Sequence, residues 1–227
     1  MLKNFFGGIL DFVIPPLCVS CENPLNKGES FLCSDCRQKL VRFEGEHTWE
    51  KEYISNGYIN GSLSLYQFIK DTPIQHLLHS LKYEKMKSIG LVLGREIGKA
   101  IPGDIKFDYA VPVPLHPAKI RERTYNQSDY ICKGISEILG TQVIPKLLKR
   151  TRYTKSQTKL DKTARMENVK GAFTINPKHK NTITGKNIIL ADDVITTGAT
   201  ILECAKILKE NGAGKVIICS AAYDALD

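Results

Sequence analysis

Residues 189–200 read ILADDVITTGAT. An apolar run meets two adjacent carboxylates, Asp192 and Asp193, and a string of small residues follows: Thr196, Thr197, Gly198, Ala199 and Thr200. Beyond them Ile201, Leu202, Ala205 and Leu208 recur at helical spacing, Gly212 and Gly214 stop the pattern, and VIICS begins a second apolar run. Strand 187–191, loop, helix and strand make a βαβ unit, whose strands are parallel and whose helix is the crossover. The expected fold class is α/β, with helices around a mainly parallel sheet. Ligands of such sheets gather at the carboxyl ends of the strands.

The small residues have a chemical reading. Backbone N–H groups at a helix N-terminus point outward and attract anions, and Thr hydroxyls add donors. Gly198 lets the backbone approach a phosphate closely. Two carboxylates beside a phosphate would repel it unless something rich in donors lay between. A ribose 5-phosphate meets that need: its vicinal hydroxyls donate to Asp192 and Asp193 while its phosphate rests on residues 196–200. A helix cap explains one acid but not two, and a phosphoacceptor or Mg²⁺ site does not need the cradle. A nucleotide loop of the G-x4-G-K-[ST] kind is excluded, since GAGK at 212–215 runs into Val216. Glycine fingerprints for dinucleotides are absent too.

Upstream, FDYAVPVPL reads as a buried strand. Ser128 and Asp129 are plausible caps of a helix presenting Ile131, Ile135, Ile138 and Leu139 and ended by Gly140. Residues 53–68 alternate and carry Asn-Gly pairs at 56–57 and 60–61, which predicts a hairpin. Residues 73–100 are helical in pattern, with Gly90, Gly94 and Gly98 at every fourth position, a spacing suited to close helix packing. The polar stretch 149–170 lacks an apolar face and reads as a mobile functional loop. There is no internal repeat.

At 227 residues the chain has room for one core and a small appendage. Its net charge of +8 is concentrated: Lys146 to Lys186 carries twelve Lys/Arg against two acids. An anionic partner, polyphosphate or nucleic acid, would suit that segment, and a solvated lysine surface is the plainer alternative. No stretch approaches the roughly 20 apolar residues of a membrane span. In MLKNFFGGILDFVIPPLC the apolar run is interrupted by Asp11, and no small-residue cleavage site follows. The expectation is a docked apolar helix and a cytoplasmic protein.

Cys18, Cys21, Cys33 and Cys36 form C-x2-C-x11-C-x2-C. Two such knuckles complete a closed all-thiolate tetrahedron, which suits structural Zn²⁺. Two disulfides are the alternative, disfavoured by the lack of an export signal and by three isolated cysteines, Cys132, Cys204 and Cys219.

LADDVITTGAT resembles the signature of the type I phosphoribosyltransferases, which bind 5-phosphoribosyl 1-pyrophosphate (PRPP). The whole chain resembles the ComF family (ComFC-like proteins), in which a four-cysteine knuckle precedes a phosphoribosyltransferase-type domain. The matching pieces occur in family order: CVSC and CSDC, LKY at 81–83, PVPLHP with RERTYNQ, then Gln157, Leu160, Arg165, Asn168 and GAF at 171–173, and DDVITTGAT.

That resemblance implies a division into residues 1–45 (N-terminal helix and zinc knuckle) and 46–227. Within the latter, 46–100 would form a hairpin and helical hood and 101–227 the core. It implies PRPP bound with Mg²⁺, the diphosphate held by Lys119, Arg121 and Arg123 after strand 109–113, and a loop bearing Arg150, Arg152 and Arg165 closing over the site. It also implies a role in natural competence, with single-stranded DNA and competence-machinery proteins as partners. Lys155, Lys159 and Lys162 are then the DNA-binding candidates, with Tyr153 and Phe173 as stacking residues. Two departures stand out. Thr124 occupies a position where the family usually has Gly, and Thr196 stands where some type I relatives carry a basic Asp. Phosphoribosyl transfer to an unidentified acceptor and non-catalytic PRPP sensing or DNA binding both remain open on these residues.

Overall fold

The computed structural model describes residues 15–152 and 162–225, apart from the side chains of 162–165. The helix expected at the N-terminus lies outside the described residues, as do Tyr153, Lys155, Gln157, Lys159 and Leu160.

The described chain runs through α1 (Ser34–Gln38), α2 (Glu50–Ser55), β1 (Gly61–Gln67), α3 (Pro73–Tyr83), α4 (Lys87–Ala100) and β2 (Tyr109–Pro112). It continues with α5 (Pro117–Arg123), α6 (Gln127–Leu139), β3 (Gln142–Val143), β4 (Leu148–Arg150), α7 (Lys162–Val169) and β5 (Phe173–Ile175). A 3₁₀ turn (Pro177–His179), β6 (Ile188–Ile195), α8 (Ala199–Glu210) and β7 (Val216–Tyr223) complete it. One sheet has the order β1-β7-β6-β2-β3, every neighbouring pair parallel. A separate antiparallel ribbon joins β4 to β5.

The parallel sheet explains the unbroken apolar runs. Ile188, Ile189, Leu190 and Ala191 are all fully buried, because helices cover both faces of β6. Alternate residues serve different cores. Ile189 and Ala191 join Leu77, Leu81, Ile131 and Ile135 on the side of α3, α4 and α6. Ile188 and Leu190 join Ile201, Leu202 and Leu208 on the side of α8.

The helical stripe of glycines packs as its spacing predicts. Gly94 of α4 lies against the backbone of Ile131 and Gly134 in α6, and a Cβ on Gly94 would collide with the Ile131 carbonyl. Small residues on both helices let the two backbones touch.

Three local expectations need correction. There is no hairpin over 53–68. Asn56 and Gly57 (φ +72) instead end helix α2. The second pair starts a strand whose partner is remote: Asn60 N–H donates to the Val216 carbonyl at 2.7 Å, and its Oδ1 accepts from Val216 N–H at 2.9 Å. β1 is thereby locked parallel to β7. Second, the helix expected over 73–100 is two helices, broken where Lys85 turns to φ +59. Third, α6 is capped by Asn126, whose side chain accepts from Ser128 N–H, rather than by Ser128 or Asp129. Gly140 does end that helix, in the left-handed region at φ +68.

The knuckle is not set apart from the rest. Cys18, Leu32, Cys33 and Cys36 share one hydrophobic cluster with Leu77, Leu78 and Leu81 of α3. The stretch after α1 runs antiparallel along the outer edge of β1, with Phe43 N–H on the Leu65 carbonyl and Gln67 N–H on the Val41 carbonyl.

Candidate ribose-phosphate site and cysteine cluster

Strand β6 is longer than the apolar run, so Asp192 and Asp193 lie within it and not after it. Successive strand residues face opposite ways, and the two acids diverge. Asp192 lines a pocket with Thr196, Thr197, Gly198, Ala199, Thr200 and Ile201. Its Oδ1 accepts from Ser128 Oγ and from Asp193 N–H, both at 2.9 Å. Asp193 is buried and turns to the other side, where Lys82 Nζ lies 2.8 Å from Oδ2, while Oδ1 accepts from Val194 N–H at 2.9 Å.

Their charges are pushed apart in the same way. Burial, helped by the charge on Asp193, raises the Asp192 carboxyl to about 7. Burial acts against Asp193 as well, but Lys82 and the more distant Arg123 outweigh it and hold its carboxyl below the usual range. One acid is firmly ionised; the other stands ready to exchange a proton near neutrality.

The turn into α8 leaves backbone donors open to the pocket. Gly198, at φ +77, is the N-cap of α8 and offers no side chain to its first-turn N–H groups. Beneath it lies Trp49, whose Nε1 would be 2.6 Å from a Cβ on Gly198. Trp49 is stacked on His47 at 4.7 Å, and His47 is pinned by Ser62 and Ser64 hydroxyls at 2.6 and 2.8 Å. The floor of the cradle is thus fixed.

Cations converge from three elements. Lys119 and Arg123 are four residues apart on α5 and share a face. Burial lowers the Lys119 ammonium, and repulsion from Arg123, Arg150 and Lys82 lowers it further. Arg150 reaches in from the end of β4, its guanidinium 5.3 Å over the Phe173 ring. Arg123 donates to Gln127 Oε1 at 3.2 Å and lies 5.3 Å over the ring of Tyr83, while its buried Nε has no protein partner.

Other expected residues lie elsewhere. Arg121 is exposed, two positions off the Lys119–Arg123 face. Arg152 is also exposed and donates to the carbonyls of Asn168 and Lys170 at 3.1 and 2.8 Å, joining the residues after β4 to the end of α7. The side chains of Lys162 and Arg165 lie outside the described residues, as do Lys155 and Lys159. Thr124 takes φ +70, the left-handed conformation a Gly would adopt freely, so the backbone path survives the substitution at a steric cost of about 1 kcal/mol. His116 acts locally, its Nδ1 accepting from Ala118 N–H at the start of α5.

Three participants carry too little signal in the sequence to be read as site residues. Lys82 is visible there only as the middle of LKY, Ser128 reads as a cap, and Trp49 has no pattern around it.

The cysteine cluster also fits its expected ligand. The four Sγ atoms lie within 4.8 Å of one another. The Cys21–Cys33 separation of 3.6 Å is far beyond a disulfide of about 2.05 Å. It is close to the roughly 3.8 Å that Zn–S bonds of about 2.3 Å impose across a tetrahedron. All described cysteines are free thiols. The donor set is one that holds zinc.

The family profile described as phosphoribosyl transferase domain matches residues 135–225, from α6 through the cradle to β7. The chain is 26% identical over 232 residues to Competence protein F of Haemophilus influenzae, covering 90% of this chain and 96% of that one. It is 33% identical over 150 residues to the DNA utilization protein YhgH of Escherichia coli, covering 63% of this chain and 64% of that one. Among solved structures, glutamine PRPP amidotransferase from B. subtilis aligns with 18% identity and a TM-score of 0.43, over 63% of this chain and 30% of that one. The chain thus carries a phosphoribosyl transferase domain behind a four-cysteine cluster, and the proteins it is similar to along its length are competence and DNA utilization proteins.

Proposed function

We propose that the cleft binds PRPP as its Mg²⁺ complex and that the protein serves the handling of transforming DNA in the cytoplasm. One arrangement supports the first part: Asp192 lines a pocket with a helix N-terminus that has no capping side chain, and its neighbour Asp193 belongs to a charge cluster with Lys82, Lys119, Arg123 and Arg150. Those cations outnumber the ionised acids, so the cleft carries positive charge that a highly charged anion neutralises. Residues 196–200 take the 5′-phosphate. The ribose hydroxyls donate to Asp192 on one side and Asp193 on the other, and Lys119 and Arg123 face the diphosphate, with Arg150 approaching from the β4–β5 ribbon. Mg²⁺ prefers oxygen ligands and phosphate; the diphosphate would hold it, and Asp192 and Asp193 would be the carboxylates available to it.

If the protein turns over, a nucleophilic atom of the acceptor bonds to C1′ as the C1′–oxygen bond breaks, and diphosphate leaves with its charge held by the cations, so the chain contributes positioning and charge neutralisation. Thr196 lines the cradle where some type I enzymes have an acid, and it supplies no base. That favours a second reading, in which the cleft senses PRPP without transferring it.

Calorimetric titration with Mg²⁺–PRPP tests the site. Saturable binding that Asp192→Asn/Asp193→Asn abolishes is expected; a folded, zinc-loaded protein that binds none refutes the proposal. The DNA role draws support from the names of the relatives and from the basic 146–186 segment. Binding of a single-stranded oligonucleotide should fall steeply with salt and weaken in a Lys155/Lys159/Lys162→Ala triple variant. Unchanged binding by that variant would remove this segment as the DNA site.

A further inference from the structure

We infer that Lys82 is a ligand-binding residue of the cleft, resting on Asp193 while the cleft is empty and moving onto the diphosphate when PRPP enters. The inference rests on the PRPP reading above.

Lys82 sits in the last turn of α3 and is only partly covered, with its side chain 22% exposed and that of Asp193 12%. The helix beneath it cannot shift easily. Ile74, Leu77, Leu78 and Leu81 are buried, and the Tyr125 hydroxyl donates to the Leu81 carbonyl. Motion is therefore confined to the flexible four-carbon stem of the lysine.

Asp193 has both oxygens engaged, one by Val194 N–H and the other by Lys82. The backbone donor is fixed in the strand, so a ribose hydroxyl gains room at this carboxylate by displacing the ammonium. A half-buried ammonium without a partner is costly, and the exchange needs a new anion within reach. Lys82 already stands close enough to Lys119 to repel its charge, which puts it on the cationic side of the cleft where the diphosphate lies. The ligand that takes Asp193 from Lys82 is the one that supplies its replacement. A ligand without a diphosphate gains nothing from Lys82 and must compete with it.

Titrations with Mg²⁺–PRPP and with ribose 5-phosphate separate this role from a structural one, using wild type, Lys82→Gln and Lys82→Arg. The Gln amide still donates to Asp193 but carries no charge. Lys82→Gln should weaken PRPP binding tenfold or more, leave ribose 5-phosphate binding equal or tighter, and be largely rescued by Lys82→Arg. Equal weakening of both ligands overturns the role of Lys82 alone. A wild type that binds neither ligand overturns the PRPP reading and this inference with it. Fluorescence of Trp49, the single tryptophan, checks folding of each variant. Should Lys82→Gln not fold, wild type with ¹³C-methylated lysines decides the matter by NMR. The Lys82 signal should shift on saturation with Mg²⁺–PRPP, and an unchanged signal overturns the inference.

Discussion

Asp192 should make the protein less stable at the pH where it is useful, and Asp192→Asn should therefore raise the melting temperature while destroying the site. Burial lifts this carboxyl to about 7, against about 3.9 in an unfolded chain. Between those values the native state holds a proton that the unfolded chain has lost. Stability accordingly falls as pH rises from about 4 to 7 and stays reduced above it. Three units correspond to about 4 kcal/mol at most. Asp192 is only partly covered on its cleft side, and solvent there reduces the penalty to about half, or about 2 kcal/mol. Asn keeps the oxygen that accepts from Ser128 and from Asp193 N–H while removing the charge. For a chain of this size 2 kcal/mol is about 4–8 °C of Tm. Asp193 does not obscure the effect, because its depressed carboxyl acts below pH 4. The assay is a thermal melt of both proteins at half-unit steps from pH 5 to 8. The wild type should lose stability more steeply than the variant, which keeps only the pH dependence of groups such as Asp129, raised by burial to about 6, and His47, lowered by burial; the variant should lie above the wild type at pH 8. Parallel curves, or a variant that is less stable at pH 8, would refute the argument.

Other substitutions follow from the same geometry. Gly198→Ala must accommodate φ +77 and a Cβ 2.6 Å from Trp49 Nε1, so it should cost about 2 kcal/mol in thermal melts and abolish binding of ribose 5-phosphate by calorimetry. Gly94→Ala, facing the Ile131 carbonyl across the helix contact, should cost about 3 kcal/mol of stability, whereas Gly103→Ala, with nothing within 4 Å, should leave the melt unchanged. Removing metal with a strong chelator should free four thiols to a colorimetric reagent and lower Tm; Cys132, Cys204 and Cys219, fully buried, should react only on unfolding.

Periodicity and composition encode what is local. The βαβ unit, the cradle, the glycine stripe and the knuckle each occupy a short window of sequence, and each is found in the fold where its pattern places it. Some misreadings come from a remote partner and others from local geometry that the residue pattern does not fix. Alternation and Asn-Gly pairs over 53–68 favour a hairpin until Val216, more than 150 positions away, claims Asn60. Lys82 has no mark in the sequence beyond LKY, and only the fold brings it beside Asp193. Arg121 and Arg123 are near neighbours in sequence, but a helix turns them to different faces, and only Arg123 stays with Lys119. Ser128 resembles a cap because caps and ligand-orienting hydroxyls use the same residue types; the register of α6, set by Asn126, decides between them.

The same remoteness gives the knuckle a physical place in the site. The family profile covers residues 135–225, yet Lys82 on α3 touches Asp193 and Trp49 lies against Gly198. Helix α3 has only eleven residues, too short to be stable without tertiary packing. Part of that packing comes from the cysteine cluster: Cys18, Cys33 and Cys36 share a core with Leu77, Leu78 and Leu81, and Ser20, inside the first knuckle, lies 3.0 Å from His76 Nδ1. Six residues further along the helix, about 9 Å at 1.5 Å per residue, stands Lys82. A metal that fixes the knuckle therefore also fixes one end of the helix whose other end holds Asp193.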